Sequence, residues 1–151
     1  MPVIWDSHYY LPVDGPTWAN AQDNAESLGG YLAVINSSEE NNVLTNSFIS
    51  ESSFHFSVYM PGADDTGAWI GLTYDIDSAD WVDVLGEKQG YFNWAPGQPD
   101  SMPFHAINFG KANTIMVFDS QGYWPNGTWN SSYQNQSVPY YHRGIAEVPL
   151  S

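Results

Sequence analysis

The sequence predicts an α+β domain, and three observations carry that prediction. Two segments with helical spacing stand in the first third of the 151 residues. From Trp69 onward, short apolar runs are separated by Gly, Pro, Asn and Asp, the texture of strands joined by long loops. Neither a repeat nor a linker interrupts the chain, so residues 1–151 are read as one domain. A chain of this length buries roughly 68–70% of its unfolded surface, enough for a single hydrophobic core. Helices grouped at one end of the chain and strands at the other favour an antiparallel sheet over alternating βα units.

The elements follow in order. Tyr9-Tyr10-Leu11 reads as a short strand, and Asp14-Gly15-Pro16 turns the chain into a helix that begins near Thr17. In that helix Trp18, Ala21, Ala25 and Leu28 recur at helical spacing, and Gly29-Gly30 supplies a left-handed stop. Tyr31-Leu32-Ala33-Val34-Ile35 reads as a strand. Ser37 and Glu40, three apart, form a capping box that opens a second helix with Leu44 and Phe48 on one face. Ala68-Trp69-Ile70-Gly71-Leu72 and Asp80-Trp81-Val82-Asp83-Val84 are expected to pair. Thr114-Ile115-Met116-Val117-Phe118 and Gly144-Ile145-Ala146-Glu147-Val148 are expected as two further strands. The segment from Asn93 to Ala112 is irregular yet rich in proline and aromatic residues, and long loops of that kind in a compact domain tend to be functional.

Composition excludes several classes of partner. Seventeen Asp and Glu face only Lys88, Lys111 and Arg143, a net charge of −14. Such a surface repels phosphate backbones and anionic membranes, which are bound through clusters of Lys and Arg. It attracts divalent cations, and Asp, Asn and Gln oxygens are calcium-type ligands. With no cysteine, disulfides, thiolate catalysis and cysteine-ligated zinc are absent. No apolar run approaches a membrane span. The opening Met1-Pro2-Val3-Ile4-Trp5-Asp6 lacks the basic-then-apolar pattern of a signal peptide. His8, His55, His105 and His142 are scattered without zinc-type spacing. Asp75-Ile76-Asp77-Ser78-Ala79-Asp80 resembles the start of an EF-hand, but Gly86 stands where the twelfth-position Glu is required. Asn-x-Ser/Thr sequons begin at Asn36, Asn126, Asn130 and Asn135 and are read as incidental in a chain this rich in Asn and Ser.

Several segments, in order, resemble a C-type lectin-like domain of the cysteine-free sort found in bacterial surface proteins. Trp18 through Leu28 matches its first helix, Gly29-Gly30-Tyr31-Leu32-Ala33-Val34-Ile35 the helix-to-strand step, and Ser38-Glu39-Glu40-Asn41 the start of its second helix. Trp69-Ile70-Gly71-Leu72 stands as the Trp-Ile-Gly-Leu signature. Tyr91 through Asp100 matches the run into the sugar-binding loop, and Arg143 through Val148 resembles the closing strand. Trp69, Ile70, Leu72 and Trp94 are expected in the core, where they establish a fold and no chemistry.

The resemblance implies a calcium-dependent sugar site at Gln98-Pro99-Asp100. In this family such a tripeptide carries a cis bond before the proline, which aims the flanking side chains at one point. A hard cation there accepts both side-chain oxygens, and two vicinal sugar hydroxyls complete its shell. Gln-Pro-Asp accompanies galactose-type ligands in the family, and fucose shares the relevant diol. The metal set expected is Gln98, Asp100, Asn113 and Asn130, with Ca2+ as the cofactor. Phe104 and Trp124 are the aromatic candidates to cover the apolar face of the sugar.

The chain departs from the family pattern at two of these places. Ala112, with Asn113 beside it, stands where a Glu is usual. The Trp-Asn-Asp signature reads Trp129-Asn130-Ser131, and Trp124-Pro125-Asn126 is a competing register. Asp119 restores a charge if its hairpin folds toward the loop. With Asp100 as the one firm carboxylate, the expectation is calcium binding on the order of 10⁻⁴–10⁻³ M, or none at all. Three functions are weighed. The first is a non-catalytic lectin acting outside the cell or at its surface, as a domain of a larger surface protein that adheres to glycans without entering a membrane. The second is a calcium-independent protein- or surface-binding module on the same fold. The third is a glycan-acting enzyme, which needs two poised carboxylates or a nucleophile with its base, and no such couple stands out.

Overall fold

The computed structural model describes residues 3–15, 17–51, 54–56, 65–99, 112–119, 124–133 and 143–150. Among them the chain forms strands β1 (Val3–Trp5), β2 (His8–Asp14), β3 (Tyr31–Leu32), β4 (His55–Phe56), β5 (Asp65–Asp75), β6 (Asp80–Asp83), β7 (Ala112–Asp119), β8 (Thr128–Tyr133) and β9 (Arg143–Pro149). Helices α1 (Trp18–Ser27) and α2 (Ser38–Phe48) are the two expected. The main sheet runs β1-β2-β9-β5-β7-β8, with β3 added to β9 and both β4 and β6 added to β5. Among the described residues the named strands pair antiparallel except at Trp69↔Gly144, where β5 meets β9 in parallel; the isolated bridge Trp94↔Trp129 is also parallel.

Local sequence explains each helix boundary. The Thr17 side chain accepts from the Asn20 N–H, and Ser37 accepts from the Glu40 N–H at 3.1 Å, so both N-termini are capped. Glu40 completes the box one residue further back than the usual arrangement, accepting from the Asn36 N–H at 3.0 Å. Gly29, at φ 86°, ends α1 in the left-handed region. Leu28 departs from expectation: it is the C-cap, outside the helical turn, and is exposed. The first hairpin also departs, because β1 and β2 are joined by Asp6 and Ser7 at positive φ, a two-residue turn without glycine. Beyond Leu32 the expected strand gives way to irregular backbone that keeps its hydrogen bonds. The Ala33 N–H donates to Ile145 and the Ala33 carbonyl accepts from Gly71.

Both faces of the sheet are covered, which is why β5 and β7 read as nearly continuous apolar runs instead of alternating ones. Strand alternation sends Ile70, Met116, Phe118 and Trp129 to one face, packed with Leu44 and Phe48 of α2. Trp69, Ile115 and Val117 point to the other, against Trp18, Ala21 and Ala25 of α1. Phe48 meets Phe54 edge-on with ring centroids 5.5 Å apart, and truncating a ring so buried costs about 3–5 kcal/mol. Trp69, Ile70 and Leu72 are buried as expected; Trp94 is only half-buried. It lies on the loop that precedes Gln98, where a single bridge to Trp129 replaces a full ladder.

A bulge in β5 shapes the end of the sheet that carries the expected site. Ile70 pairs with Thr114 and the next pair is Thr73 with Asn113, so Gly71 and Leu72 have no partner in β7. Their bonds go elsewhere: Gly71 donates to Ala33 and accepts from Val84, and Leu72 pairs with Asp83 of β6. Position 71 must be glycine, since a Cβ there would stand 2.3 Å from the Leu32 carbonyl oxygen. Trp18 caps the bulge by donating its indole N–H to the Ile70 carbonyl at 2.8 Å.

Candidate functional site

The loop from Asn93 to Pro99 is held against β8 by backbone bonds. Trp129 N–H donates to Asn93 at 2.8 Å, Ala95 N–H donates to Trp129 at 2.9 Å, and Gln98 N–H closes a turn onto Ala95 at 2.9 Å. Gly97, at φ 83°, supplies the positive dihedral within that turn. The Gln98–Pro99 peptide is cis. The result sets Gln98 beside Ser131, whose hydroxyl donates to the Gln98 side-chain oxygen at 3.2 Å.

A second layer fixes this arrangement to the core. The Gly127 carbonyl accepts from two amides, Asn41 of α2 at 3.0 Å and Asn93 of the loop at 2.9 Å. Asn41 turns its own side-chain oxygen to the indole N–H of Trp129 at 2.8 Å. One buried asparagine therefore joins α2, the turn before β8 and the tryptophan next to the Asn93–Pro99 loop. Each partner is satisfied, which rigidifies a polar network in a low-dielectric setting. A Cβ at Gly127 would stand 2.4 Å from the Thr45 hydroxyl, so the turn approaches α2 too closely for any side chain.

Gln98 is half-buried at the tip of the anchored loop. Asp100 and Phe104 lie outside the described residues. Asn113 occupies β7 opposite Ser132. Asn130 is buried in β8 opposite Ile115, while Ser131 stands opposite Thr114. Alternation therefore puts Asn130 and Ser131 on opposite faces of the strand, and it is Ser131 that reaches Gln98. The segment Trp129-Asn130-Ser131 lies in β8 beside the loop; Trp124-Pro125-Asn126 precedes the strand. Trp124 is half-buried against the cluster of Trp18, Ile115 and Val117. That contact is near the turn end of the β7–β8 ladder, where Val117 pairs with Thr128, about 13 Å along the strand from Asn113. Asp119 ends β7 opposite Thr66, six residues past Asn113 and so about 20 Å along the strand. The hairpin does not fold it toward the loop.

A different polar cluster was not foreseen. Glu40 and Glu147 are both buried, at 5% and 3% exposure. Glu147 accepts from the Val34 N–H at 2.9 Å and contacts the His8 Nδ1 and, at 3.4 Å, the Tyr31 hydroxyl. Glu40 accepts from the Asn36 N–H and, at 2.6 Å, from the Tyr10 hydroxyl. Burial, opposed by the Val34 N–H and His8 but reinforced by Glu40, holds the Glu147 carboxyl above the ordinary carboxylate range. Burial and the nearby carboxylates push the Tyr31 phenol up to about 12 and Tyr10 higher still. Every carboxylate oxygen of the pair has a protein donor, so the cluster ties β2, β3, α2 and β9 together. The available signal was Glu147 at an inward position of the closing strand, between Ala146 and Val148.

The donor set bears on calcium. Gln98 offers a carbonyl oxygen and Ser131 a hydroxyl, both hard ligands, but neither carries charge. Among the described residues no three of His, Cys, Asp or Glu converge on a metal position. Also among the described residues, no helix is long and apolar enough to cross a membrane.

Residues 14–140 match the family model described as Lectin C-type domain. Over 133 residues the chain is 32% identical to human C-type lectin domain family 10 member A, which covers 85% of this chain and 35% of that protein. The chain thus spans about a third of that relative's length. Among solved structures it is similar to the SPL-1–GlcNAc complex, with a TM-score of 0.70, 18% identity, and coverage of 99% of this chain and 93% of the other. It is also similar to the Ca2+-independent C-type lectin SPL-2 from Saxidomus purpuratus, with a TM-score of 0.65, 16% identity, and coverage of 97% and 88%. With the family model spanning most of the chain and a curated relative matching along 85% of it, the protein belongs to the C-type lectin domain family.

Proposed function

We propose that this domain is a non-catalytic lectin that binds vicinal hydroxyls of galactose- or fucose-type sugars at Gln98-Pro99-Asp100, with Ca2+ held by the same loop. The observation that carries the reading is the Ser131–Gln98 hydrogen bond at 3.2 Å. It shows a loop built to hold one amide in a fixed orientation at the protein surface, on backbone ties that continue into the core. Asp100 supplies the charge, Asn113 is a further oxygen donor of the proposed metal shell, and the Ser131 hydroxyl, which meets Gln98, takes the place expected for Asn130 on the opposite face of β8. Phe104 is the proposed aromatic cover, since Trp124 packs with Trp18 and Val117 at the far end of the β7–β8 ladder. The setting is extracellular or cell-surface adhesion to glycans, as one domain of a larger surface protein, and the lack of cysteine suits the bacterial-surface type.

A second reading has its own support. Ser131 stands where a carboxylate is usual, and a structural neighbour is a calcium-independent lectin. On that reading Gln98 and Ser131 meet the ligand directly, through an amide N–H donor and a hydroxyl, without metal. Glycan-array binding and thermal melting in calcium and then in EDTA separate the two. The calcium reading expects both signals to fall in EDTA, and Asp100→Ala to abolish binding while the melting temperature in EDTA stays that of the parent. Binding that persists in EDTA, or in the Asp100 variant, removes the metal or that residue from the site.

A further inference from the structure

Four aromatic rings form a row from the β5–β6 hairpin to the ligand loop. Tyr74 and Trp81 are a cross-strand pair with centroids 5.4 Å apart. Trp81 meets Trp94 at 4.8 Å, and Trp94 meets Phe92 at 6.0 Å with planes only 18° apart. Tyr74, Trp81 and Trp94 are half-buried. Phe92 is 39% exposed and is the one aromatic among the strongly exposed large apolar side chains of the described residues. Trp81 and Trp94 also pack against the core, Trp94 meeting the fully buried Trp129 edge-on at 5.9 Å, so Phe92 is the freest ring of the row. The row is fringed by charge, because Asp80 and Lys88 pair at 3.6 Å while both remain exposed.

The row is continuous with the proposed sugar loop. Phe92 and Trp94 lie on the segment that ends at Gln98, and the bonds of Asn93 and Ala95 to Trp129 fix that segment on β8. Three residues from Phe92 to Ala95 reach at most about 10 Å, and the turn from Ala95 to Gln98 adds less than about 7 Å. An oligosaccharide of a few units covers that span. Pyranose rings present a face of C–H bonds, and aromatic faces, with their negative quadrupole, attract it; hydroxyls at the sugar's edge then need polar partners, here Asp80 and Lys88. The domain's net charge of −14 disfavours polyanionic glycans and favours neutral ones.

We propose that the Phe92–Trp94–Trp81–Tyr74 row is a second carbohydrate subsite, which stacks the inner residues of a neutral glycan whose terminal sugar occupies the Gln98 loop. The proposal rests on the lectin reading above, and its test is arranged so that the two fail separately. Binding of methyl β-galactoside and of a galactose-terminated tetrasaccharide such as lacto-N-neotetraose is measured by calorimetry for the parent, Phe92→Ala and Phe92→Tyr. Phe92→Ala is expected to weaken the tetrasaccharide about 5- to 10-fold and leave the monosaccharide unchanged, with Phe92→Tyr near the parent. An unchanged melting temperature for Phe92→Ala excludes unfolding. Loss of tetrasaccharide binding alone, where the parent does not bind the monosaccharide, supports the subsite and counts against the Gln98 loop. Equal weakening of both ligands, no effect on either, or a parent that binds neither overturns the subsite. So does a Phe92→Ala variant that loses self-association in ultracentrifugation but keeps its tetrasaccharide affinity, which would assign the row to protein contacts.

Discussion

Thr114 offers a direct test of how the strands beside the ligand loop are packed. Its side chain is fully buried, and its hydroxyl finds no hydrogen-bond partner among the described residues. It stands opposite Ser131 in the β7–β8 ladder, on the face shared with Met116 and Trp129. Folding therefore strips water from this hydroxyl and returns no bond, a cost of about 1–3 kcal/mol. Thr114→Val keeps the β-branched shape and removes only the polar atom, so most of that cost should be recovered. Taking about 1 kcal/mol as the lower end, a domain of this size should melt about 2–4 °C higher. Paired melts by calorimetry or circular dichroism read the shift, and glycan binding should not change, because the Ser131 hydroxyl already donates to Gln98. A melting temperature equal to or below the parent's would refute the argument and place a buried water or another acceptor at Thr114.

Two further outcomes follow from the polar groups. Ser131→Asp adds a carboxylate next to Gln98 and should tighten calcium about tenfold. If the dissociation constant moves from about 1 mM to about 0.1 mM, stabilisation by 10 mM calcium rises from about 1.4 to about 2.7 kcal/mol; calcium-dependent melts that do not change would remove position 131 from the metal shell. Glu147 has a folded pKa above the ordinary 4.5, so the folded state binds its proton more tightly than the unfolded chain does. Its contribution is fully present below about 4.5 and is lost as pH rises through the folded value. The melting temperature of the parent minus that of Glu147→Gln should therefore fall as pH is raised from about 4.5; a flat difference would show that His8 and the Val34 N–H balance burial, and a rising one that they outweigh it.

The fold was legible because its signals are local. Thr17 and Ser37 cap their helices, Gly29 ends one, and the runs around Trp69 and Ile115 are long enough to mark strands covered on both faces. What escaped was set by contacts between distant segments. The β1–β2 turn at Asp6-Ser7 carries no glycine signal, and its dihedrals are imposed by strand pairing. Leu28 fits the helical period, yet the chain leaves the helix one residue earlier. For the site, the family resemblance pointed to the tripeptide and to Trp129-Asn130-Ser131, and that segment lies in β8 against the loop that leads to Gln98. The partner of Gln98 could not be read that way. Which of Asn130 and Ser131 faces the loop depends on β8's register against β7, and a shift of one residue would exchange them.

The same register separates two ways in which this acidic chain handles polar groups. At the Glu40–Glu147 cluster two carboxylates are buried, and the cost is offset by backbone N–H groups, two phenols and His8, drawn from β2, β3 and the segment between β3 and α2. Removing any one donor leaves a buried charge short of a partner, which is why such a cluster holds its elements in place. At the ligand loop the described groups are neutral: an amide and a hydroxyl bonded to each other, anchored through Asn93 and Asn41 to a single carbonyl at Gly127. A neutral pair costs less to expose and can exchange its internal bond for one to a ligand, whereas a buried carboxylate cannot. The division places rigidity at the α2–β9 side and exchangeable hydrogen bonds at the β8 edge. On the proposed lectin reading, recognition at that edge follows the hydroxyl geometry of the sugar, and Asp100 supplies charge to it.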